Sequence, residues 1–150
     1  MNRTMPTATF YTHVSDRHRF ACRLAQRAVQ SGIRVLVWAS DADEAAALDT
    51  RLWSFEAVSF LPHEIWHTNT AYPNDIPLVI ASSPSLPIIG DDVTVLNLSP
   101  DFWCDAPSTP ARVLEIVSAN LEELAEARER FKAYKQQHFA IEHHNMQGKA

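Results

Sequence analysis

The sequence predicts an α/β fold: a single Rossmann-like domain in which helices flank a mostly parallel sheet of about five strands. Three observations predict it. Short runs rich in β-branched and aromatic residues alternate with segments that have the apolar period of a helix. Their order, strand–helix–strand–helix–strand, favours parallel pairing with helical crossovers. The 150 residues, 46% of them apolar, suit one domain with one buried core.

The first half of the chain supplies two strand–helix units. Residues 7–14 are rich in β-branched and aromatic side chains and predict the first strand. A helix follows, and Gly32 suits the position just after its end. Residues 33–39 predict a second, largely buried strand. Asp41, with Glu44 three residues later, has the capping-box pattern that begins a second helix.

The second half predicts more strands and a closing helix. Three further strands are expected, at 57–61, 77–81 and 93–98. Residues 63–76, with Asn, Thr and Pro, predict a loop. Pro110 suits the first turn of a long final helix that reaches about Lys135. The domain is therefore expected over 1–137, followed by a poorly anchored, flexible tail at 138–150.

The sheet lacks the loop that a nucleotide cofactor needs. Phosphate-binding turns use glycine so that backbone N–H groups can approach the phosphates. The chain has three glycines, and the first strand–helix turn, residues 12–16, contains none. A nucleotide-binding glycine loop is absent from the sequence, so we expect no cofactor.

Histidines and hydroxyl residues do not assemble a catalytic or metal site in the sequence. His63 and His67 are four apart but lie in a predicted loop, where no shared helix face is expected. No third ligand stands at a metal-site spacing. The hydroxyl-rich stretch 82–85 contains no nucleophile elbow. We therefore expect neither a metal ion nor a catalytic residue.

Charge and composition limit the partners. The net charge of −5 argues against strong direct DNA binding, because phosphate neutralisation needs a basic surface. Residues 128–135 are a local exception, with four cations and one carboxylate. No apolar run is long enough to span a bilayer, and the first residues do not have the pattern of a secretory signal. A cytoplasmic protein with no membrane partner, its two cysteines reduced, is expected.

The predicted final helix changes character along one face. Its apolar stripe consists of Val113, Val117, Leu121 and Leu124. The same line continues into Arg128, Lys132 and Lys135, with Phe131 at its edge. Because unpaired charge is costly to bury, the pattern predicts a groove with an apolar floor and a cationic rim. A solvated, ion-paired helix end, with Glu126 four residues before Arg130, is the alternative that periodicity leaves open.

This helix also resembles that of a known family. Residues 127–135, ARERFKAYK, are similar to the final-helix motif of the chi subunits of bacterial DNA polymerase III. Further blocks in the same order resemble the family at 8–11, 31–37, 48–53, 59–63, 77–80 and 95–98. Together they cover most of the domain.

The resemblance implies a Rossmann-like fold without nucleotide chemistry and a non-catalytic role. Chi subunits are accessory chains of the clamp-loader assembly. They form a heterodimer with the psi subunit, which tethers them to the clamp loader. They also bind the acidic C-terminal tail of the single-stranded-DNA-binding protein, which ends in a phenylalanine carboxylate.

The resemblance also implies site residues. Arg128 and Lys132 match the positions that pair with the tail, and Arg128 is the better candidate for its terminal carboxylate. Three residues match positions near the apolar part of that site: Val117, Trp53 and Phe131. Phe131 stands where the family usually has tyrosine, and ordinary core packing is an equally open interpretation for each of the three. Phe60 matches a position at the psi-binding surface.

Two other interpretations remain open at this point. A small α/β enzyme could hold a phosphorylated metabolite with Arg128 and Lys132, although the missing glycine loop argues against it. The same adaptor fold could instead serve a repair helicase in place of psi, since one surface could accept either partner.

Overall fold

The computed structural model describes residues 5–54 and 62–149, and in that part of the chain seven strands form one all-parallel sheet. The strands are β1 (Thr7–Thr12), β2 (Arg34–Trp38), β3 (His63–Ile65), β4 (Leu78–Ala81), β5 (Val93–Asn97), β6 (Arg112–Ile116) and β7 (Ala140–Asn145). Their order across the sheet is β3-β4-β2-β5-β6-β1-β7. The helices are α1 (Arg17–Gln30), α2 (Ala42–Ser54) and α3 (Leu121–Gln136). The predicted α/β class with a parallel sheet is confirmed, with seven strands in place of about five.

The helices divide between the two faces of the sheet. Alternate strand residues point to opposite faces, so the central strands β2, β4, β5 and β6 each contribute to two separate cores. Val35 and Val37 pack with α1 and α2 on one face. Leu36 and Trp38 pack on the other face, in the cluster that includes Tyr134 of α3. This division decides which functional residues can meet.

Local signals at the helix ends agree with the sequence. The Asp16 carboxylate accepts a hydrogen bond from the Arg19 N–H (3.1 Å) and begins α1. Asp41 accepts from the Glu44 N–H (2.8 Å), which confirms the predicted start of α2. Gly32 follows α1 with φ of 82°, a conformation that glycine adopts without strain. Cys22 is buried in the core under α1, and burial raises the pKa of its thiol to about 11.

The prediction of one long helix from Pro110 is wrong. Residues Arg112–Ile116 form β6, a strand between β5 and β1, and the helix begins only at Leu121. The β-branched Val113 and Ile116 fill opposite faces of the sheet, whereas Leu121, expected in the apolar stripe, is 83% exposed. The apolar stripe predicted for one helix therefore combines Val113 of a strand with Leu121 and Leu124 of α3.

The expectation of a poorly anchored tail from His138 is wrong over 140–145. There the chain forms β7, which pairs in parallel with β1 along its whole length. His138, with φ of 64°, makes the turn between α3 and this strand. β7 thus pairs the outer backbone groups of β1 and is itself an edge strand of the sheet.

The predicted loop at 63–76 begins with a strand. Residues His63–Ile65 form β3 and pair in parallel with β4. The strand expected at 57–61 lies outside the described residues. Across residues 5–54 and 62–149, no helix is both long enough and apolar enough to span a bilayer.

Candidate peptide-binding cleft

Helix α3 is fixed on the sheet by a buried polar network. Glu115 of β6 is fully buried, and its carboxylate accepts hydrogen bonds from Arg130 Nε (3.0 Å) and Tyr134 Oη (2.6 Å). Asn97 of β5 donates to the same carboxylate (3.0 Å). Burial raises the pKa of Glu115, and the Arg130 guanidinium opposes that rise. Arg130 is therefore ion-paired inside the fold and is not available to bind a ligand. A ligand-binding cation of α3 has to come from another face of the helix.

On that other side, α3 and the β1–β7 edge enclose a cleft of about 430 Å³. Its apolar surface is formed by Phe10, Leu124, Ala127 and Phe131. The Phe10 and Phe131 rings pack with centroids 5.5 Å apart and planes tilted by 53°. Phe10 is buried beneath, whereas Phe131 is 36% exposed. An aromatic ring entering the cleft would therefore meet a largely apolar floor.

The rim of the cleft is polar and contains one arginine. Arg128 lines the cleft, is exposed, and forms no ion pair with any carboxylate in the described part of the chain. Opposite it stand Thr12, His13 and His143. A hydrogen bond of 2.8 Å joins Thr12 Oγ1 and His143 Nε2, and another of 3.1 Å joins Thr12 Oγ1 and His13 Nδ1. An apolar floor with an unpaired guanidinium at its edge suits a ligand with one ring and one carboxylate.

Comparison with known proteins identifies the family. A family model described as DNA polymerase III chi subunit, HolC, matches residues 5–142. The chain belongs to the DNA polymerase III chi subunit family. This membership implies a role in DNA replication as a subunit of that polymerase, and it confirms the resemblance seen in the sequence.

Curated chi subunits and one solved structure are similar over most of this chain. The DNA polymerase III subunit chi of Pseudomonas aeruginosa is 28% identical over 132 residues, 88% of each chain. That of Escherichia coli K12 is 30% identical over 141 residues, 87% of this chain and 92% of the relative. The crystal structure of T4 UvsW matches with a TM-score of 0.62 and 11% identity, over 95% of this chain and 42% of UvsW. The last likeness shows a shared fold alone.

In this chi-family chain, two of the five residues predicted for the tail site line the cleft, and the other three do not. Arg128 and Phe131 line the same cleft. Lys132 is exposed outside its lining, with Nζ 3.4 Å from Glu129 Oε1. Val117 is buried at the end of β6 and lines a separate cavity of about 260 Å³ on the Arg130 side of α3.

Trp53 is far from the cleft in the fold. It lies in α2, which covers the opposite face of the sheet from α3. It is 58% exposed, and its ring centroid is 4.3 Å from that of His63. The structure therefore does not support a tail site that contains both Trp53 and Arg128. Phe60 lies outside the described residues.

The sequence interpretation missed the strand side of the cleft. Phe10 and Thr12 alternate on β1 and point to one face, a period-two pattern that was visible in the sequence. His143, which the sequence predicts to lie in a tail, is the register partner of Phe10 on β7. The alternation of Phe139, Ile141 and His143 was the available signal for this strand. Among residues 5–54 and 62–149, no three His, Cys, Asp or Glu side chains are grouped to hold a metal ion.

Proposed function

We propose that this chi-family chain is a non-catalytic adaptor of the bacterial cytoplasm that joins the single-stranded-DNA-binding protein to the clamp loader through psi. The observation that carries the proposal is the cleft between α3 and the β1–β7 edge, where Arg128 at the rim forms no ion pair with a carboxylate of residues 5–54 or 62–149. An acidic peptide that ends in phenylalanine has the matching chemistry: a ring for the apolar floor and a carboxylate for the guanidinium.

The geometry of α3 supports a role in peptide binding for four side chains of the cleft. Arg128 presents a planar fork of donors that can hold both oxygens of a terminal carboxylate. Phe131 and Phe10 supply the aromatic surface against which the terminal ring packs, and the phenylalanine at 131 keeps that surface without a hydroxyl. Leu124 closes the apolar floor one turn earlier along the helix.

The remaining predicted residues act from outside the cleft. Lys132 is exposed one turn beyond Arg128 and attracts the aspartates that precede the tail's end, in competition with Glu129. Val117 belongs to the same buried core cluster as Ala127 and contributes by packing beneath α3. Neither side chain is expected to touch the terminal phenylalanine.

Titration of a peptide ending in Asp-Asp-Asp-Ile-Pro-Phe against the full chain tests the proposed function. We expect micromolar affinity that falls as salt rises, because the charge pairs lie at the surface and are screened. The same peptide with an amidated C-terminus should bind roughly tenfold more weakly, since its end no longer offers a carboxylate to Arg128. Isothermal calorimetry measures both. Equal affinities for the acid and the amide would mean that the terminal carboxylate does not contribute to binding.

The psi contact is proposed for a different surface. Trp53 is a largely exposed aromatic side chain near the end of α2. It precedes Phe60 in the sequence by seven residues, and the family resemblance implies a psi contact for Phe60. Exposed aromatic residues are typical anchors of protein interfaces. Because α2 and α3 cover opposite faces of the sheet, psi and the tail peptide can bind at the same time.

Phe60→Ala is expected to weaken the psi complex at least tenfold, the size of a hot-spot truncation, and to leave peptide affinity unchanged. Trp53→Ala should behave in the same way if it belongs to this surface. Co-purification with psi and titration with the tail peptide provide the two measurements. A variant that loses both partners would contradict two separate surfaces.

A further inference from the structure

Helix α1 carries a row of arginines that the tail cleft and the psi surface do not use. Arg19, Arg23 and Arg27 are exposed and lie four residues apart, so successive side chains start about 6 Å from one another along one side of the helix. None of the three forms an ion pair with a carboxylate of the described residues. Arg17, by contrast, is half-buried and has its Nε 3.3 Å from Glu123 Oε1.

A fourth arginine extends this row onto the sheet. Arg112 begins β6, is exposed, and lines one cavity together with Arg27 and Tyr11. Burial raises the pKa of the Tyr11 phenol. The positive charges of Arg112 and Arg27 oppose that rise because both arginines lie near the phenol. Arg19 and Arg23 line a second cavity that lies nearer the start of α1. We name Arg19, Arg23, Arg27 and Arg112 the arginine row.

Aromatic side chains lie beside the arginine row. Tyr11 is stacked on His144 of β7, with centroids 5.3 Å apart and planes 22° from parallel. Phe20 meets the edge of Tyr11 at 5.1 Å and lines the cavity of Arg19 and Arg23. All three rings are partly or largely accessible. Rings interleaved with cations are the pattern of surfaces that bind single-stranded nucleic acid, where bases stack and phosphates are neutralised.

The acidic groups near the row do not cancel it. Asp16 borders the second cavity but is already bonded to Arg51, with Oδ2 3.1 Å from Nη2. Glu142 of β7 lies near Tyr11 and has its Oε2 3.8 Å from His144 Nε2. Of these two carboxylates in the described part of the chain, Asp16 is held by an arginine outside the row and Glu142 is next to His144.

We propose that the arginine row and its aromatic neighbours bind single-stranded DNA. An acidic peptide would find the cations but would gain less from the row of flat rings, so the nucleic acid fits more of the observed surface. The net charge of −5 is compatible with this, because the row is local and the contact is weak and salt-sensitive. A subunit of a DNA polymerase works close to single-stranded DNA, which is consistent with this proposal.

Fluorescence anisotropy with a labelled oligothymidylate and the full chain tests the proposal. With four phosphates neutralised, the slope of log affinity against log salt should be about −3, so raising salt from 50 to 200 mM weakens binding roughly fifty-fold. Arg23→Gln/Arg27→Gln should bind about tenfold more weakly at low salt and reduce the slope to about −1.4. Both arginines are exposed, so thermal melting should be unchanged.

Lys135→Gln/Lys149→Gln is the matched control, since it removes two exposed cations from other parts of the surface. Its affinity for the oligonucleotide should remain within about twofold of the parent. Three results would each overturn the proposal: equal weakening by the two double variants, equal binding of a duplex of the same length, or binding of an Asp-rich peptide but not of the oligonucleotide by this row.

Discussion

Arg128→Ala is expected to weaken binding of the acidic tail peptide by about 1.5–3 kcal/mol, or roughly 10- to 150-fold. Arg128 is the cation at the rim of the cleft formed by α3 and the β1–β7 edge, and it has no competing carboxylate in the described part of the chain. Its removal leaves the peptide's terminal carboxylate over an apolar floor with no charged donor. Calorimetric titration of parent and variant measures the difference.

Two controls distinguish recognition by Arg128 from a general charge effect. Lys132→Ala removes a positive charge from the next turn of α3. Because Lys132 is exposed and already pairs with Glu129, its removal should weaken peptide binding by only about 0–1 kcal/mol. Arg128→Lys keeps the charge and loses the planar fork, so it should restore affinity only in part. Equal losses in Arg128→Ala and Lys132→Ala, or no loss in either, would remove the site assignment.

The helix side of the cleft could be predicted from the sequence, whereas the pairing of the two strands on its other side could not. Arg128 and Phe131 are three residues apart, so any helix through this segment places them on neighbouring positions of one face. Their partners Phe10 and His143 are separated by most of the chain, and only the register between β1 and β7 brings them together. That register depends on main-chain pairing, which local patterns do not encode.

The wrong prediction of one long final helix has a physical cause. The segment containing Val113 and Val117 has apolar residues at both strand and helix spacing, and the helical interpretation joined it to α3. What decides for a strand is the gap between β5 and β1, which β6 fills. The sequence does not show the arginine row as a run of charge, because Arg19, Arg23 and Arg27 are four residues apart. Residues 128–135, by contrast, form such a run.

Trp53 shows the limit of carrying a site over by resemblance. A matching residue is placed in a family's binding site by analogy, but the fold decides which matched residues can touch one ligand. Here α2 and α3 lie on opposite faces of the sheet, and a single short peptide end cannot reach both. Under the proposed function, Trp53 and Arg128 therefore belong to two different surfaces.

Arg130→Met is expected to lower the free energy of unfolding by about 3–5 kcal/mol, because it leaves the buried carboxylate of Glu115 without its cation. Arg130 is itself almost fully buried, so its loss leaves a fully buried carboxylate without an opposite charge. The loss would be a large share of the roughly 5–15 kcal/mol that stabilises a typical domain. Urea denaturation followed by circular dichroism measures it. A loss below about 1 kcal/mol would mean that the pair does not hold α3 on the sheet.

The pH dependence of this variant identifies the cause. Burial already raises the pKa of Glu115, and Arg130 is the main influence that lowers it, so the pKa in the folded variant should rise further above its unfolded value. Between those two values the folded state holds a proton that the unfolded state has released, so stability falls as pH rises through that window. The variant should therefore be least destabilised near pH 5 and most destabilised at pH 8. Replacing the carboxylate as well, in Glu115→Gln/Arg130→Met, should recover stability at pH 8 and flatten the profile, since no charge then remains to be desolvated.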